Sequence, residues 1–247
     1  MAVPLKIAVA NLQSGIGTTR GYFEYVASAW QYILPGGDKF VYQAADVLKQ
    51  EAIDIGLFTE VNEISFRSKQ RSHIEALERS LAFEHSGFFP TIKTGTYIHE
   101  GSAILSKFPM VDRETYSLPS SSLPRVLGKC MIDVEGITVS IFVAHLSLGK
   151  KRRSSQIKTI ADIISKTTGP IMLGGDFNER NIEGLRPLRH AGLSTICFQP
   201  NYPSWNPKHP LDYLFLSDHF TNTHDYLPAI KHFSDHAPLI VQTTLTP

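Results

Sequence analysis

The stretch PIMLGGDFN, residues 170–178, is an apolar run of strand length that ends in two glycines, an acid and an amide. Gly174 and Gly175 allow the backbone to approach another segment closely. Asp176 and Asn178 stand two residues apart, so they project to the same side of an extended chain. An Asx turn after a buried strand would use the same residues. An α/β fold, however, often places functional side chains at such a strand end, and the stretch predicts this arrangement.

Polar side chains stand at the ends of other apolar runs as well. They are Asn11 after LKIAVA, Glu60 after IGLFT, His145 after VSIFVA, and Asp235 and His236 before APLIV. A buried carboxylate is costly unless it is hydrogen-bonded or bound to a metal. Hard oxygen ligands suit magnesium or manganese better than zinc. A lone histidine at a strand end is more often a core residue, but two of them among strand-end acids favour phosphoester hydrolysis with a divalent cation.

The pattern of apolar residues predicts the fold class. Strand-like runs occur at 5–10, 53–58, 101–105, 130–134, 137–145, 170–175, 211–217 and 237–245. Apolar spacings of three and four predict helices at 39–51, 73–83 and 154–166, the last capped by Ser154 or Ser155. DVEGIT, 133–138, is typical of a hairpin turn. Strands and helices are intermixed and no linker divides them, so we expect one α/β (α+β) domain over residues 1–247.

Bulk properties narrow the class of protein. The net charge is +1, whereas a dedicated duplex-DNA binder usually carries a basic excess. Cys130 and Cys197 lack metal-ligand spacing, so we expect two reduced, buried thiols. Strongly apolar runs of about six to eight residues are far shorter than the ~20 that span a bilayer. The N-terminal residues lack the pattern of a signal peptide. We therefore expect a cytoplasmic protein with no transmembrane segment, and the sequence implies no obligate protein partner.

Candidate substrate-binding residues lie in three segments. They are Lys150, Lys151 and Arg152 of the basic run KKRR, Arg125 in a polar loop, and Tyr202 and Trp205 in the loop QPNYPSWNPKHP. A basic run can attract a phosphate-bearing substrate, although most such runs are only solvated. An arginine can bind phosphate bidentately. The aromatic residues could stack on a base or rest on a bilayer surface. Nucleic acids, phospholipids and small phosphoesters all remain candidate substrates.

Seven short motifs, taken in order, resemble the endonuclease/exonuclease/phosphatase superfamily, which includes deoxyribonucleases, AP endonucleases, sphingomyelinases and inositol-polyphosphate 5-phosphatases. The matching stretches are ANLQ (10–13), FTEV (58–61), GSAILSKFP (101–109), VAHLSLG (143–149), GGDFN (174–178), LDYLFLS (211–217) and SDHAPL (234–239). The stretch 15–30 is also similar to an uncharacterised bacterial branch. The resemblance implies a four-layer α/β sandwich, in which two mostly antiparallel sheets pack face to face with helices outside.

The resemblance also implies a metal site and a substrate class. Glu60 would be the principal Mg²⁺ ligand, with Mn²⁺ as a substitute, and Asn11 would help to position metal and phosphate. Asp235 would lie by the metal or by a second metal. The implied activity is hydrolysis of phosphoesters by a phosphodiesterase, with a nuclease-like, phospholipid or inositol-phosphate substrate. A catalytically inactive binding module is the alternative from another class, but this chain retains every metal and histidine position.

The implied catalytic residues come from four of the motifs. They are His145, Asp176, Asn178, Asp212 and His236. Asp176 and Asn178 would orient the attacking water and the phosphoryl oxygens, and Asp212 would fix the tautomer of His236. Our hypothesis makes His236 the general base and His145 the acid or the phosphate-binding partner, because histidine titrates near neutrality. Asp176 is the alternative base.

Departures from the family motifs argue against the AP-endonuclease branch. Gln13 stands where several AP endonucleases have an acid, and no lysine follows FTEV. The acid that pairs with His145 in deoxyribonucleases has no clear counterpart. By position alone, Glu100 is a candidate, with His99 as the alternative.

Overall fold

The computed structural model describes residues 2–28, 38–121, 123–230 and 232–247. Residues 29 and 30 of the stretch 15–30, and Ser122 of the loop 118–124, lie outside these ranges. The described helices are α1 (Phe23–Ser28), α2 (Lys39–Gln50), α3 (His73–Leu81), α4 (Lys150–Ile164) and α5 (Arg186–His190). Short 3-10 helices span Gln13–Gly15 and Ile182–Leu185.

The strands form two six-stranded sheets. In chain order they are β1 (Val3–Asn11), β2 (Ile55–Asn62), β3 (His85–Thr94), β4 (Ile98–Ser106), β5 (Met110–Leu118), β6 (Arg125–Val134), β7 (Ile137–His145), β8 (Ile171–Asp176), β9 (Thr195–Cys197), β10 (Asp212–Leu216), β11 (Phe220–Tyr226) and β12 (Leu239–Leu245). The first sheet has the order β11-β12-β1-β2-β4-β3 and the second β5-β6-β7-β8-β10-β9. Most neighbours are antiparallel, while β1–β2 and β7–β8 are parallel.

Three apolar cores hold the layers together. The core between the sheets includes Val9, Leu57, Val143 and Leu214, all fully buried. A second core packs α2 and α3 on the outer face of the first sheet, and a third packs α4 and α5 on the outer face of the second. Burial of this apolar surface is the main driving force for the layered arrangement. The four-layer α/β sandwich implied by the resemblance is confirmed.

The strands that the apolar pattern misses are β3, β5, β9 and β11. All four lie at the outer edges of the two sheets. An edge strand pairs on one side only, and native edge strands commonly carry polar residues that discourage pairing with other molecules. Residues 111–114 of β5, for example, are mostly exposed. The apolar signal is therefore weakest where a strand has one neighbour.

The helix prediction at 154–166 is displaced at its start. Helix α4 begins at Lys150, and Gly149 is its N-cap, so the proposed capping by Ser154 or Ser155 is wrong. The first helical residues are exposed and carry no apolar period, which hides them from pattern analysis. The predicted hairpin is confirmed, because Val134 pairs with Ile137 across a turn in which Gly136 has φ 86°.

Two further observations concern the cysteines and the helices. Cys130 and Cys197 are both buried and free. Within the described ranges, no helix has the length and apolar composition needed to cross a membrane.

Candidate active site

Strand register brings three of the predicted side chains together on the second sheet. His145 at the end of β7 pairs with Asp176 at the end of β8, and Asp176 pairs with Asp212 at the start of β10. Each of the three residues lies two positions along its strand from a residue that faces the inter-sheet core. Side chains alternate between the two faces of a strand, so each of the three also points toward the other sheet. The three therefore stand side by side at one end of the cleft between the sheets.

The first sheet contributes Asn11 and Glu60 to the same end. The Asn11 Nδ2 donates to Glu60 Oε1 at 3.0 Å and to Asp176 Oδ2 at 3.1 Å. One amide thus bridges carboxylates from both sheets. The Oδ1 of Asn11 accepts from the backbone N–H of Gln13 at 2.9 Å, which fixes the orientation of the amide.

Glu60 sits in a β-bulge rather than in a regular strand. The register between β2 and β4 shifts between Phe58 and Val61, and Glu60 has φ 53°, in the left-handed region. Bulges redirect side chains and are common next to active sites. A left-handed conformation is also costly for a residue other than glycine, and such strain concentrates at functional sites. The bulge explains how a carboxylate in an otherwise buried strand points into the cleft.

His236 and Asp212 form a buried pair. The distance from His236 Nδ1 to Asp212 Oδ2 is 2.6 Å. Burial alone would lower the pKa of His236, but Asp212 and Asp235 outweigh it and raise the pKa well above its ordinary value. The ring is therefore an imidazolium that donates from Nδ1 to Asp212. Its Nε2–H remains available for a substrate oxygen.

Asn201 supports this pair and was missed by the sequence analysis. Its side-chain amide donates to Asp212 Oδ2 and, at 3.2 Å, to the carbonyl of Ala237. Its Oδ1 accepts from the backbone N–H of Leu211 at 3.0 Å. The fully buried side chain thus joins the start of β10 to the segment before β12. No sequence signal separates Asn201 from other loop residues, since its role depends on how the loop folds back.

Burial and mutual repulsion perturb the carboxylates. The pKa of Glu60 is raised to about 8, first by burial and then by the charges of Glu100 and Asp235. The pKa of Asp176 is raised to about 7, mainly by burial; the charge of His236 opposes the shift, and Asp212 adds to it. The pKa of His145 falls well below its ordinary value, because the ring is buried and lies near two positive charges. His145 is therefore neutral.

The donor set fits a hard divalent cation. Glu60 and Asp235 are acidic and face one cavity, and the charge of Asp235 helps to raise the pKa of Glu60, an effect that a cation would relieve. Buried Asp212 Oδ1 has no hydrogen-bond partner in the described part of the chain. Asp176, Asp212 and His236 also offer atoms within 4.8 Å of one another. Because Asp212 and His236 are hydrogen-bonded to each other, Glu60 and Asp235 are the better candidates to hold an ion.

These groups line a cavity of about 520 Å³. Its lining residues are Glu60, Arg125, His145, Leu148, Arg153, Asp176, Asn178, Glu179, Arg180, Tyr202, Leu211, Asp235 and His236. The predicted substrate-binding residues Arg125 and Tyr202 are thus brought to the site. Asn11 and Asp212 do not line the cavity themselves, but each is hydrogen-bonded to residues that do.

The remaining predicted substrate-binding residues do not line this cavity. Lys150, Lys151 and Arg152 are exposed at the start of α4, and the two lysines border a separate shallow groove. The ring of Trp205 packs edge-on against Tyr22, with centroids 5.4 Å apart. Their predicted role in substrate binding stays a prediction.

The fourth residue of the basic run has a different environment. Arg153 is buried, and its Nε donates to Glu179 Oε2 at 2.9 Å. Its Nη1 donates to the carbonyl of Leu148 at 2.6 Å. The pair ties the segment after β7 to the segment after β8, so the two loops that follow His145 and Asp176 are held against each other.

The expected partners of His145 are placed elsewhere. The Glu100 carboxylate binds Arg67 and accepts from Ser14 Oγ at 2.5 Å. His99 packs against Phe88. His145 Nε2 instead lies 3.6 Å from Asp176 Oδ2 and 4.0 Å from Glu60 Oε1.

Comparison with known proteins agrees with this fold. A model of the Endonuclease/Exonuclease/phosphatase family matches residues 41–236. An endonuclease/exonuclease/phosphatase structure from Beutenbergia cavernae has TM-score 0.74 at 17% identity and covers 99% of this chain and 72% of its own. Another, from Bacteroides vulgatus, has TM-score 0.73 at 14% identity and covers 98% and 99%.

A curated relative is similar over a shorter stretch. A UPF0294 protein of Yersinia pseudotuberculosis is 33% identical over 110 residues, which are 43% of this chain and 42% of that protein. The matched part therefore spans about two fifths of the relative's length.

Proposed function

This chain belongs to the endonuclease/exonuclease/phosphatase family, and on that premise we propose that it is a magnesium-dependent phosphodiesterase. The family comprises phosphoester hydrolases. One observation carries the proposal: the Asn11 amide bridges Glu60 and Asp176, so acids from both sheets face one cavity beside the Asp212–His236 pair. Phosphodiesters resist attack because their charge repels the nucleophile, and this cavity offers groups that counter that charge.

Glu60 and Asp235 would hold Mg²⁺, with Mn²⁺ as a substitute, and Asn11 would orient Glu60. When bound, the ion would neutralise charge that develops on the phosphoryl oxygens. The all-oxygen donor set supports a hard cation over a softer one. The raised pKa of Glu60 supports the same assignment, since a cation offsets the repulsion among the buried acids.

The proton acceptor in this proposal is Asp176. A base works best when its pKa lies near the working pH, and the pKa of Asp176 is raised to about 7. The backbone N–H of Asn178 donates to Asp176 Oδ1 at 2.8 Å and fixes the carboxylate. The sequence hypothesis gave this role to His236, but the raised pKa of His236 makes it a poor base.

The two histidines would bind and stabilise the phosphoryl group. His236, charged and held by Asp212, would donate from Nε2 to a phosphoryl or leaving-group oxygen. His145, neutral because of burial, would donate a hydrogen bond to a phosphoryl oxygen rather than act as an acid. A donor aimed at developing charge typically contributes on the order of 10²–10³-fold in rate.

A phospholipid substrate is the second candidate. Leu148 lines the cavity and is 80% exposed, and Phe23 is 92% exposed. Tyr22, beside Phe23, contacts Trp205, three residues from the cavity-lining Tyr202. Exposed apolar side chains beside a polar site favour an amphiphilic ligand. Hydrolysis of sphingomyelin in vesicles, compared with hydrolysis of a dinucleotide, separates the two candidates.

The proposal also covers cellular location, domain organisation and partners. The free, buried Cys130 and Cys197 support a reducing, cytoplasmic location. We also propose that residues 1–247 form a single catalytic domain and that it acts on phosphoester substrates without an obligate protein partner.

Hydrolysis of bis-p-nitrophenyl phosphate tests the proposal. We expect turnover with Mg²⁺, loss of turnover with EDTA, and a fall of at least about 10²-fold in Glu60→Gln. Glu183→Gln, which changes an exposed acid on a short 3-10 helix, is the matched control and should retain turnover. Equal rates with Mg²⁺ and with EDTA would contradict the proposal.

A further inference from the structure

The arginines of the cavity differ in how their charges are balanced. Arg153 is neutralised by Glu179. Arg125 and Arg180 also line the cavity, but neither forms an ion pair with any acid in the described residues. The positions outside the described ranges carry no Asp or Glu side chain. Within the described residues, the cavity therefore holds two guanidinium groups that form no ion pair with a carboxylate.

The second sheet places Arg125 near His145 and Asp176, but on a different strand from either of them. Arg125 opens β6, and Leu127 pairs with Ala144 of β7, so Arg125 lies at the end of the sheet that carries His145. His145 in turn pairs with Asp176 on β8. Neighbouring strands are about 4.8 Å apart, so the backbone of Arg125 lies on the order of 10 Å from that of Asp176. The positive charge of Arg125 reaches His145, whose protonation it opposes.

Arg180 reaches the cavity from the loop that follows β8. It lies four residues after Asp176, in the exposed part of the loop that follows β8. The neighbouring Glu179 is buried, and Tyr213 donates to the Glu179 carbonyl at 2.6 Å. The backbone next to Arg180 is therefore fixed, while its side chain remains accessible to a ligand in the cavity.

We propose that the natural substrate carries a second phosphate next to the scissile phosphodiester, and that Arg125 and Arg180 bind it. The inference rests on the proposed function and narrows its substrate class. Guanidinium groups bind phosphate through paired, charge-assisted hydrogen bonds. A cavity of about 520 Å³ has room for more than one phosphate group. The reaction proposed at the acid cluster makes no use of either guanidinium group, so both are available to a second anionic group of the substrate.

Two sources of a second phosphate share this chemistry. It can be one nucleotide away, as in the 5′-phosphorylated dinucleotide pTpT, or directly linked, as in pyrophosphate. The dinucleotide TpT lacks the second phosphate but offers the same internal phosphodiester. The first arm of the test compares kcat/KM for pTpT and TpT. The second arm compares inorganic pyrophosphate with inorganic phosphate as inhibitors of bis-p-nitrophenyl phosphate hydrolysis.

We expect at least one arm to give a preference of roughly tenfold or more, equivalent to about 1.4 kcal/mol, for the probe with two phosphates. The preference should fall toward one in Arg125→Gln and in Arg180→Gln. Arg189→Gln, which changes an exposed arginine at the end of α5 and outside the cavity, is the matched control and should keep the preference. Circular dichroism establishes that each variant is folded, and the wild-type preference provides a test that needs no variant.

The outcomes separate the inference from the proposed function. If wild-type protein hydrolyses bis-p-nitrophenyl phosphate with Mg²⁺ but shows no preference in either arm, the second-phosphate inference is overturned and the phosphodiesterase proposal stands. A preference that persists in both arginine variants also overturns it. Absence of all metal-dependent hydrolysis overturns the proposed function itself.

Discussion

Asp212 Oδ2 lies 2.6 Å from His236 Nδ1, although the two residues are 24 positions apart in the chain. Asp212 begins β10 of the second sheet, whereas His236 precedes β12 of the first sheet. Both side chains are buried, and Asn201 holds the carboxylate from its other side. A carboxylate in this position fixes the histidine tautomer and stabilises its positive charge. We therefore expect the pair to act as one unit within the proposed site.

A double-mutant cycle tests whether the pair acts as a unit. Asp212→Asn and His236→Ala should each lower kcat for bis-p-nitrophenyl phosphate by on the order of 10²–10⁴-fold. Because each change removes the same function, the double variant should lose little more than the worse single variant. Multiplicative losses, measured with Mg²⁺ at saturating substrate, would show that the residues act independently.

Asn201→Ala tests whether the hydrogen bond from Asn201 holds the Asp212 carboxylate in position. The change removes donors to Asp212 and to the Ala237 carbonyl, so we expect kcat to fall by about 10–100-fold with little change in KM. Asn206→Ala, at an exposed position in the same loop, is the matched control. A rise in KM with kcat unchanged would place Asn201 in substrate binding instead.

His73 should make stability depend on pH. Burial, followed by the charge of Arg67, lowers its pKa to about 4, so it is neutral in the folded protein. The unfolded chain takes up a proton below about pH 6.5, so the stabilisation is complete above that pH and is lost as pH falls toward 4. Between pH 7 and 4.5 wild type should lose about 2–3 kcal/mol more than His73→Gln.

Urea unfolding at the two pH values measures this difference. His190→Gln, an exposed histidine at the end of α5, is the control and should follow the wild type. Identical pH dependence in wild type and His73→Gln would remove His73 as the cause.

Gly175→Ala tests the close approach of β7 and β8 beneath the site. Gly175 has φ 134°, and an added Cβ would lie 2.0 Å from the Ala144 carbonyl oxygen. The strands must separate to admit it, which we expect to cost on the order of 3 kcal/mol of unfolding free energy and to displace His145 from Asp176. Gly136→Ala shares a positive φ but meets no atom within 4 Å, so its cost should be smaller. Thermal denaturation of both variants measures the difference, and equal costs would exclude the strand contact as the cause.

Interior strands and strand ends could be predicted from sequence because burial leaves a direct pattern. The runs that end in Asn11, His145 and Asp176 lie in interior strands, each with a neighbour on both sides. Edge strands such as β5 were not predicted, because their exposed residues break the apolar pattern. The strand-end rule named side chains that the structure brings together, because a sheet places distant strand ends side by side.

Other features depend on tertiary geometry that no local pattern carries. The bulge at Glu60 is set by the pairing of β2 with β4, and the roles of Asn201 and Arg180 are set by how loops fold over the sheet. Lys150, Lys151 and Arg152 share the basic run with Arg153, but helical geometry separates buried Arg153 from these exposed neighbours. The pKa direction of His236 likewise depends on acids supplied by other segments.

Crystals soaked in Mn²⁺ and measured at the manganese absorption edge give the most direct test of the claim that strands from both sheets build one metal-holding cavity. We predict an anomalous peak within about 2.3 Å of a Glu60 carboxylate oxygen and close to Asp235, absent from Glu60→Gln crystals treated in the same way. A peak that appears only elsewhere on the molecule, or no peak in the cavity at saturating Mn²⁺, would contradict the account.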